Sequence, residues 1–289
     1  MSKLVIQIAL YHGSQYLHPL LRSLESQAIS DIEVLFYENS CDASELAKVR
    51  VHLANFSLPY RLTVGERNLG FSAHNNLYRM TDAPFVLVLN QDAYLEPDCL
   101  QKMLASVEAD ATIASATPIV LRWYDKPTDE IDTVGLDYVC LGMVRDSRRL
   151  ITGIRDHSGI EVWGVSGAVA MYRRASVDAV RTDGNLYDPR FFMYKEDVEL
   201  AFRLNHAGMK SVCVSDARAY HVRAIRESPR GILNRILAER KRPKHLRVAA
   251  YRNQWRIYQM HWREITLKDK LLTIRYEIAR TVLFMLAYL

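Results

Sequence analysis

Residues 85–92 read Phe85-Val86-Leu87-Val88-Leu89-Asn90-Gln91-Asp92, five apolar residues running into a polar triplet. A short apolar run bounded by polar residues reads as a strand buried on both faces, as in a parallel sheet. The form recurs upstream. Leu4-Val5-Ile6-Gln7-Ile8-Ala9-Leu10 ends just before His12, and Ile32-Glu33-Val34-Leu35-Phe36-Tyr37 runs into Glu38-Asn39-Ser40-Cys41-Asp42. Between these runs the period changes: Leu17, Leu20, Leu21 and Leu24 recur at helical spacing within 16–27. Asp42 stands where it would cap a helix, and Pro97 where it would open one. Strands alternating with helices predict an α/β domain with a mainly parallel sheet. Ligands bind such sheets beyond the carboxyl ends of the strands. His12, residues 38–42 and residues 90–92 are therefore expected on one pocket rim.

Outward from this frame the signals change. Residues 123–160 carry several charges and Gly135, Gly142, Gly153 and Gly159, which predicts a loop-rich insertion or a short hairpin. Gly164-Val165-Ser166-Gly167-Ala168 leads into a short apolar run, 195–206 has helical spacing, and Val212-Cys213-Val214 reads as a short strand. After about residue 225 the strand signals stop and the chain reads as helical. The expected division is an α/β unit over 1–225 and a helical extension over 226–289.

The chain has 289 residues, 49% of them hydrophobic and 25% charged. That is a globular composition, not a disordered one. Cys41, Cys99, Cys140 and Cys213 lie far apart with no zinc spacing, as expected of reduced thiols in a reducing compartment. Met1-Ser2-Lys3 runs directly into the first strand without the pattern of a secretory leader, so a cytoplasmic location is expected. The longest apolar segment, 271–289, is interrupted by Arg275, Glu277 and Arg280 and falls short of the roughly 20 apolar residues of a membrane span. The net charge of +5 is unevenly placed: residues 218–256 hold 12 Lys/Arg against Glu227 and Glu239, while the rest holds 26 basic and 31 acidic residues. Such asymmetry points to a polyanionic surface, membrane or nucleic acid.

Four groups carry candidate chemistry. Asp92, just past a buried strand, is placed to hold a divalent cation against phosphate oxygens, or to cap the next helix. Glu196-Asp197 follows the aromatic run Phe191-Phe192-Met193-Tyr194; poorly hydrated surroundings raise a carboxyl pKa and suit a base, while acids in a first turn also favour the helix dipole. His221 follows a strand and is either a metal or phosphate ligand or a structural histidine. Asn68-Leu69-Gly70-Phe71 with Asn75-Asn76 combines a tight turn with amides able to bind a sugar or base, or marks a helix start.

In order and spacing these pieces resemble the family 2 glycosyltransferases, closest to the bacterial rhamnosyltransferase-like branch. Four strings carry the resemblance: Val34 to Asp42; Asn68 to Phe71 with Asn75-Asn76; Leu89-Asn90-Gln91-Asp92; and Gly167-Ala168 followed by Phe191 to Arg203, the most specific. The resemblance implies a GT-A fold and inverting transfer of a sugar from a nucleoside diphosphate, dTDP or UDP, to a glycan or polyprenyl-diphosphate-linked acceptor in bacterial cell-surface polysaccharide assembly. The branch implies dTDP-rhamnose as donor. Asp92 would bind Mg²⁺ or Mn²⁺, and His221 would lie beside that metal or the diphosphate. Asp197, with Glu196 beside it, would be the general base. Glu38 and Asn39 would lie near the base or ribose, Asn68, Gly70, Asn75 and Asn90 would line the donor site, and Gly167-Ala168 would floor the sugar. The chain departs from the family's pattern at Glu38, Gln91 and His12, where Asp, Pro and Asn are usual.

The extension is densest in charge over Arg240-Lys241-Arg242-Pro243-Lys244-His245. Aromatics and bases then interleave, and Leu271, Ile274, Ile278, Val282, Met285, Leu286 and Leu289 recur at helical spacing. This predicts an interfacial helix lying on an anionic membrane; the alternative is packing on the first unit or a homo-oligomer interface. Two other functions compete. A nucleotidyltransferase forming sugar nucleotides usually carries a Gly-rich loop with a basic residue after the first strand, and here that place holds Tyr11-His12-Gly13-Ser14. A nucleic-acid-binding protein would use the tail but leave the carboxylate sites without a purpose. Neither is favoured, and no nucleic-acid partner is expected.

Overall fold

The computed structural model describes residues 2–148, 159–222 and 243–288. The cluster Arg240-Lys241-Arg242 and the predicted boundary at 225/226 lie outside them.

Four parallel strands form the half predicted from the apolar runs. β1 (Leu4–Leu10), β2 (Ile32–Glu38), β3 (Tyr60–Val64) and β4 (Phe85–Asn90) stand in the order β3-β2-β1-β4. α1 (Ser14–Glu25) turns Leu17, Leu20, Leu21 and Leu24 onto the sheet. Asp42 caps α2 (Ala43–Leu53) by accepting from the N–H groups of Ser44 and Glu45. Gln7, the one polar residue of β1, is fully buried; it donates to Asn75 O and accepts from Tyr78 N at 2.9 Å. A short helix α3 (Gly70–His74) is thereby hung on the central strand. After β4 a short β5 (Ala93–Leu95) precedes α4 (Cys99–Ala109), which starts two residues after Pro97.

The other half is mixed. β6 (Ile113–Trp123) is flanked by β7 (Pro127–Thr133), and β8 (Leu136–Cys140) pairs with β9 (Met143–Asp146) as a separate hairpin. The region predicted as loop or short hairpin therefore supplies both an extra sheet strand and a hairpin. β7 shows no apolar period because its exposed and half-buried residues, 127–131, precede a buried pair that is polar, Asp132 and Thr133. β10 (Ile160–Val162), β11 (Val169–Arg173) and β12 (Lys210–His221) complete a ten-stranded sheet in which β11 runs antiparallel to β4 and β6, and β12 runs parallel to β6. The three-residue strand read from 212–214 is one part of the longer β12, which a bulge between Val214 and Arg218 interrupts. α5 (Arg174–Val180) follows β11, and α6 (Glu196–His206) packs Val198, Leu200, Ala201, Phe202 and Leu204 inward.

Two helices end the chain: α7 (Lys244–His261) and α8 (Leu267–Tyr288). α7 packs on the α/β body. Ile257, fully buried, and Tyr258 share an apolar cluster with Leu141, Phe191, Val198 and Phe202. Burying one such side chain contributes about 1.5–3 kcal/mol. His261 stacks on Phe202 at 4.4 Å, and Glu264 Oε2 lies 2.9 Å from His261 Nδ1 and 3.1 Å from His206 Nδ1, which latches the end of α7 to the end of α6. α8 is different. Leu267, Leu271, Ile274, Ile278, Val282 and Met285 follow one face of the helix and all are exposed, Leu267 by 73% and Met285 by 61%. Among the described residues no helix is long and apolar enough to cross a membrane.

Candidate active site

The site is assembled at the carboxyl ends of β1, β2 and β4, as the strand pattern predicts. Its first part depends on β5. The end of β12 pairs with β5, setting His221 opposite Ala93, and Val222 N donates to Asp92 O at 2.9 Å. His221 Nε2 thus lies 3.4 Å from Asp92 Oδ1 and 3.4 Å from Asn90 Nδ2. The ring's other nitrogen, Nδ1, lies 3.0 Å from Oδ2 of Asp132, which is fully buried on β7 beside Arg122. Burial alone would lower the His221 pKa. Hydrogen bonds and charge from Asp132 and Asp92 outweigh it and raise the value to about 9. The Asp132 carboxylate behind Nδ1 orients the ring and aims Nε2 at Asp92, as in a metal-binding histidine, and a cation bound there would displace the Nε2 proton. Asp92 remains 22% exposed. A partly open carboxylate beside an oriented imidazole is a donor set that fits Mn²⁺ or Mg²⁺ sharing its coordination with a diphosphate.

The second part is the start of α6. Tyr194 and Lys195 both take left-handed backbone conformations, with φ of 72° and 73°, and the helix begins at Glu196. Glu196, Asp197 and Glu199 fill the first turn, where the helix dipole favours negative charge. The first-turn reading of the acidic pair holds, and Asp197 also reaches across to the Gly167 backbone. Its Oδ2 accepts from Gly167 N at 3.1 Å and its Oδ1 from Val198 N at 2.8 Å. Glu196 is buried, and among the described residues its Oε2 has no hydrogen-bond partner. Burial raises both carboxyl pKa values, and the charge of Asp197 adds to the rise at Glu196. Two backbone N–H groups favour the ionised form of Asp197. Asp197 thus carries two backbone N–H donors and Glu196 carries the added repulsion of its neighbour.

Gly167 and Ala168 join the two parts. Gly167 N holds Asp197, and Ala168 O accepts from Asn90 N at 2.9 Å. Two consecutive residues thus connect the carboxylate on α6 to the strand end that carries Asp92.

The remaining predicted residues lie at the end of β2 and around the turn into α3. Glu38 is buried; its Oε1 accepts from Ser40 N at 2.9 Å, and its Oε2 has no hydrogen-bond partner among the described residues. Asn39 Nδ2 donates to Asn68 Oδ1 at 2.7 Å, Asn39 Oδ1 accepts from Leu69 N, and Asn68 Oδ1 also accepts from Gly70 N. Asn75 Nδ2 donates to Phe71 O at 3.1 Å. The amides of Asn39, Asn68 and Asn75 are thus engaged within the protein, where they shape the turn. Gly70, at φ 78°, lies against Phe192, whose carbonyl accepts from Phe71 N at 2.7 Å. Gln91 hooks the end of β1 by accepting from Tyr11 N at 2.9 Å and donating to Tyr11 O at 3.1 Å.

Sequence reasoning does not find Asp132. It lies 89 residues from His221, on a strand without apolar alternation, and no local signal marks it.

The sequence pattern described as "Glycosyl transferase family 2" matches residues 5–181. The chain is 26% identical over 231 residues to rhamnosyltransferase WbbL of Escherichia coli (strain K12), covering 75% of this chain and 83% of that protein. It is 28% identical over 110 residues to the chondroitin synthase of Escherichia coli, covering 38% of this chain and spanning only 16% of that protein. Among solved structures, GalNAc-T7 with UDP, GalNAc and Mn²⁺ aligns at a TM-score of 0.60 and 14% identity, covering 78% of this chain and 45% of its own. The mannosyltransferase PcManGT of Pyrobaculum calidifontis, in complex with GDP-Man and Mn²⁺, aligns at 0.56 and 14% identity, covering 99% and 84%.

Proposed function

The chain belongs to glycosyl transferase family 2 and has the GT-A fold, and on that premise we propose that it is a metal-dependent, inverting transferase. It moves a sugar, L-rhamnose from dTDP-rhamnose in the first instance, to a glycan or polyprenyl-diphosphate-linked acceptor. The observation that carries this reading is the Gly167-Ala168 bridge. Gly167 N donates to Asp197 and Ala168 O accepts from Asn90 N, so two consecutive residues link Asp197 to the strand end beside the Asp92–His221 pair.

In the reaction the acceptor hydroxyl gives its proton to Asp197. Its oxygen bonds to the anomeric carbon as the bond to the diphosphate oxygen breaks, and the electron pair leaves with the nucleoside diphosphate. Glu196, holding its own proton, keeps a second negative charge out of the site. Gly167 N and Val198 N hold the Asp197 carboxylate in place. A divalent cation held by Asp92 and His221 would supply Lewis-acid stabilisation of the leaving diphosphate. Glu38 Oε2, buried at the β2 end without a hydrogen-bond partner among the described residues, would accept from the base or ribose. A glycosidase needs two carboxyl groups flanking the scissile bond, whereas Glu196 and Asp197 are adjacent on one helix turn.

A thermal-shift panel of UDP, dTDP, GDP and CMP, each with and without Mn²⁺ or Mg²⁺, tests the donor site. A ligand at 100 times its Kd stabilises the fold by about 2.7 kcal/mol. One nucleotide should raise Tm only with the cation, and Asp92→Ala should abolish that rise. No shift with any nucleotide would overturn the reading.

The enzyme acts in the cytoplasm, on the inner membrane face. Support comes from the exposed apolar stripe of α8, from Trp255 at 46% exposure, and from a groove of about 830 Å³ between α7 and α8 lined by Trp255, Trp262, Ile274, Ile278 and Val282. An apolar stripe with interfacial aromatics and dense basic charge upstream suits an anionic bilayer. The full chain should float with vesicles containing phosphatidylglycerol, and the double substitution Ile274→Glu/Ile278→Glu should remain at the bottom of the gradient. Equal flotation of the two would refute the anchor.

A further inference from the structure

The left-handed pair Tyr194–Lys195 places Glu196 and Asp197, and it is an unfavourable piece of backbone. Each non-glycine residue in that conformation costs about 1–2 kcal/mol, so the surroundings must hold it. The holding group comes from α7, some sixty residues away. Asn253 is fully buried, and its Nδ2 donates to Met193 O at 2.8 Å and to Tyr194 O at 2.9 Å. Its Oδ1 accepts from Arg256 Nη1 at 2.5 Å, which fixes the orientation of the amide. The next residue, Gln254, is also buried and donates to Leu141 O at 2.9 Å, on the hairpin loop. Lys195 Nζ donates to Val144 O of the same hairpin at 3.1 Å. Helix α7, the hairpin and the catalytic turn thus form one closed set of contacts.

We infer that Asn253 is a positioning residue for the transfer reaction: its amide holds the Met193–Tyr194 carbonyls, and through them the Asp197 carboxylate, in reacting geometry. This makes α7 part of the catalytic apparatus. It also gives the tail a route to the chemistry, because α7 and α8 are joined by the hydrogen bond from Tyr258 to Glu277 at 2.5 Å. The inference rests on the reading of Asp197 as the base.

The test compares Asn253→Ala and Asn253→Asp with Gln254→Ala in the full chain. Gln254→Ala removes a buried hydrogen bond from the same helix to the hairpin loop and leaves the bonds to the Met193 and Tyr194 carbonyls intact, and controls for loss of stability. Hydrogen exchange is read first, since it needs no substrate. Amides of 192–198 should exchange faster in both Asn253 variants and not in Gln254→Ala, while those of β1 and β4 stay protected in all three. Turnover is read second, with dTDP-rhamnose or whichever nucleotide sugar the wild type consumes. A misplacement of about 1 Å costs on the order of 100-fold in rate. kcat should fall about 10–100-fold in Asn253→Ala, with nucleotide affinity and donor KM unchanged. Asn253→Asp keeps the shape but sets a carboxylate against two carbonyl oxygens, and should fall at least as far. Unchanged exchange over 192–198 would overturn the inference, and so would wild-type kcat in either Asn253 variant. A wild type that consumes no nucleotide sugar would instead sink the proposed function, with the exchange result still deciding whether Asn253 holds the turn.

Discussion

Asp197→Asn is expected to lower kcat by about 10²–10⁴-fold, the contribution of a positioned general base. The substitution keeps the size of the side chain and its place at the start of α6. Its oxygen can still accept from one of the two N–H groups that now hold the carboxylate, those of Gly167 and Val198. What it cannot do is take a proton from an acceptor hydroxyl. Nucleotide-dependent thermal shifts should therefore survive, because the Asp92–His221 pair is untouched, and only turnover should collapse. Glu196→Gln should cost far less, since Glu196 already carries a proton in this reading and the amide is also neutral. If Glu196→Gln were the dead variant and Asp197→Asn the active one, the two roles would be exchanged.

The same pair sets the pH dependence. Burial raises the Asp197 pKa above the ordinary carboxylate range. The base works only when ionised, so turnover should fall as pH drops through that raised value. The acid limb of a kcat profile should lie above the usual aspartate range, and it should disappear in Asp197→Asn along with the activity.

The parts of this site that sequence makes legible share a physical feature: their signals are local. Glu38, Asn90 and Asp92 stand at the ends of strands whose apolar runs are buried on both faces, so composition alone reports both the strand and its end. The acids of α6 follow an aromatic run and begin a helix of clear period. Asp132 and Asn253 have no such signal. Asp132 is fully buried on a strand that has one partly buried apolar residue, Ile131, after its proline, and its meaning comes from a histidine 89 residues later. Asn253 is one amide in a helix of low amphipathicity, and its partners are two carbonyls about sixty residues earlier. The family resemblance also assigns Asn39, Asn68 and Asn75 to the donor, and an amide's sequence position does not tell which backbone groups it also engages. The structure uses all three on backbone or on each other.

Gly70→Ala is expected to damage both fold and site. A Cβ at this position would sit 2.3 Å from the carbonyl oxygen of Phe192 and 2.5 Å from its Cδ2. The oxygen is backbone, so no rotamer change relieves the overlap. The left-handed conformation at φ 78° costs an alanine about 1–2 kcal/mol. Forced overlap in a packed region costs about 1–3 kcal/mol more. At about 2–4 °C per kcal/mol, the combined cost of about 2–5 kcal/mol should lower Tm by roughly 4–20 °C. The contact also lies where it does most harm to chemistry. Phe192 O accepts from Phe71 N, and Phe192 leads through Met193 and Tyr194 into the catalytic turn. Pushing Phe192 aside moves the backbone that carries Asp197, so kcat should fall in the folded fraction as well. Gly167→Ala is the comparison for stability: its Cβ would meet nothing closer than 3.8 Å, an ordinary van der Waals distance. Its Tm should stay close to wild type. Equal melting temperatures for the two variants would mean that the turn at Gly70 yields easily, and that its close approach to Phe192 does not set the position of the catalytic segment.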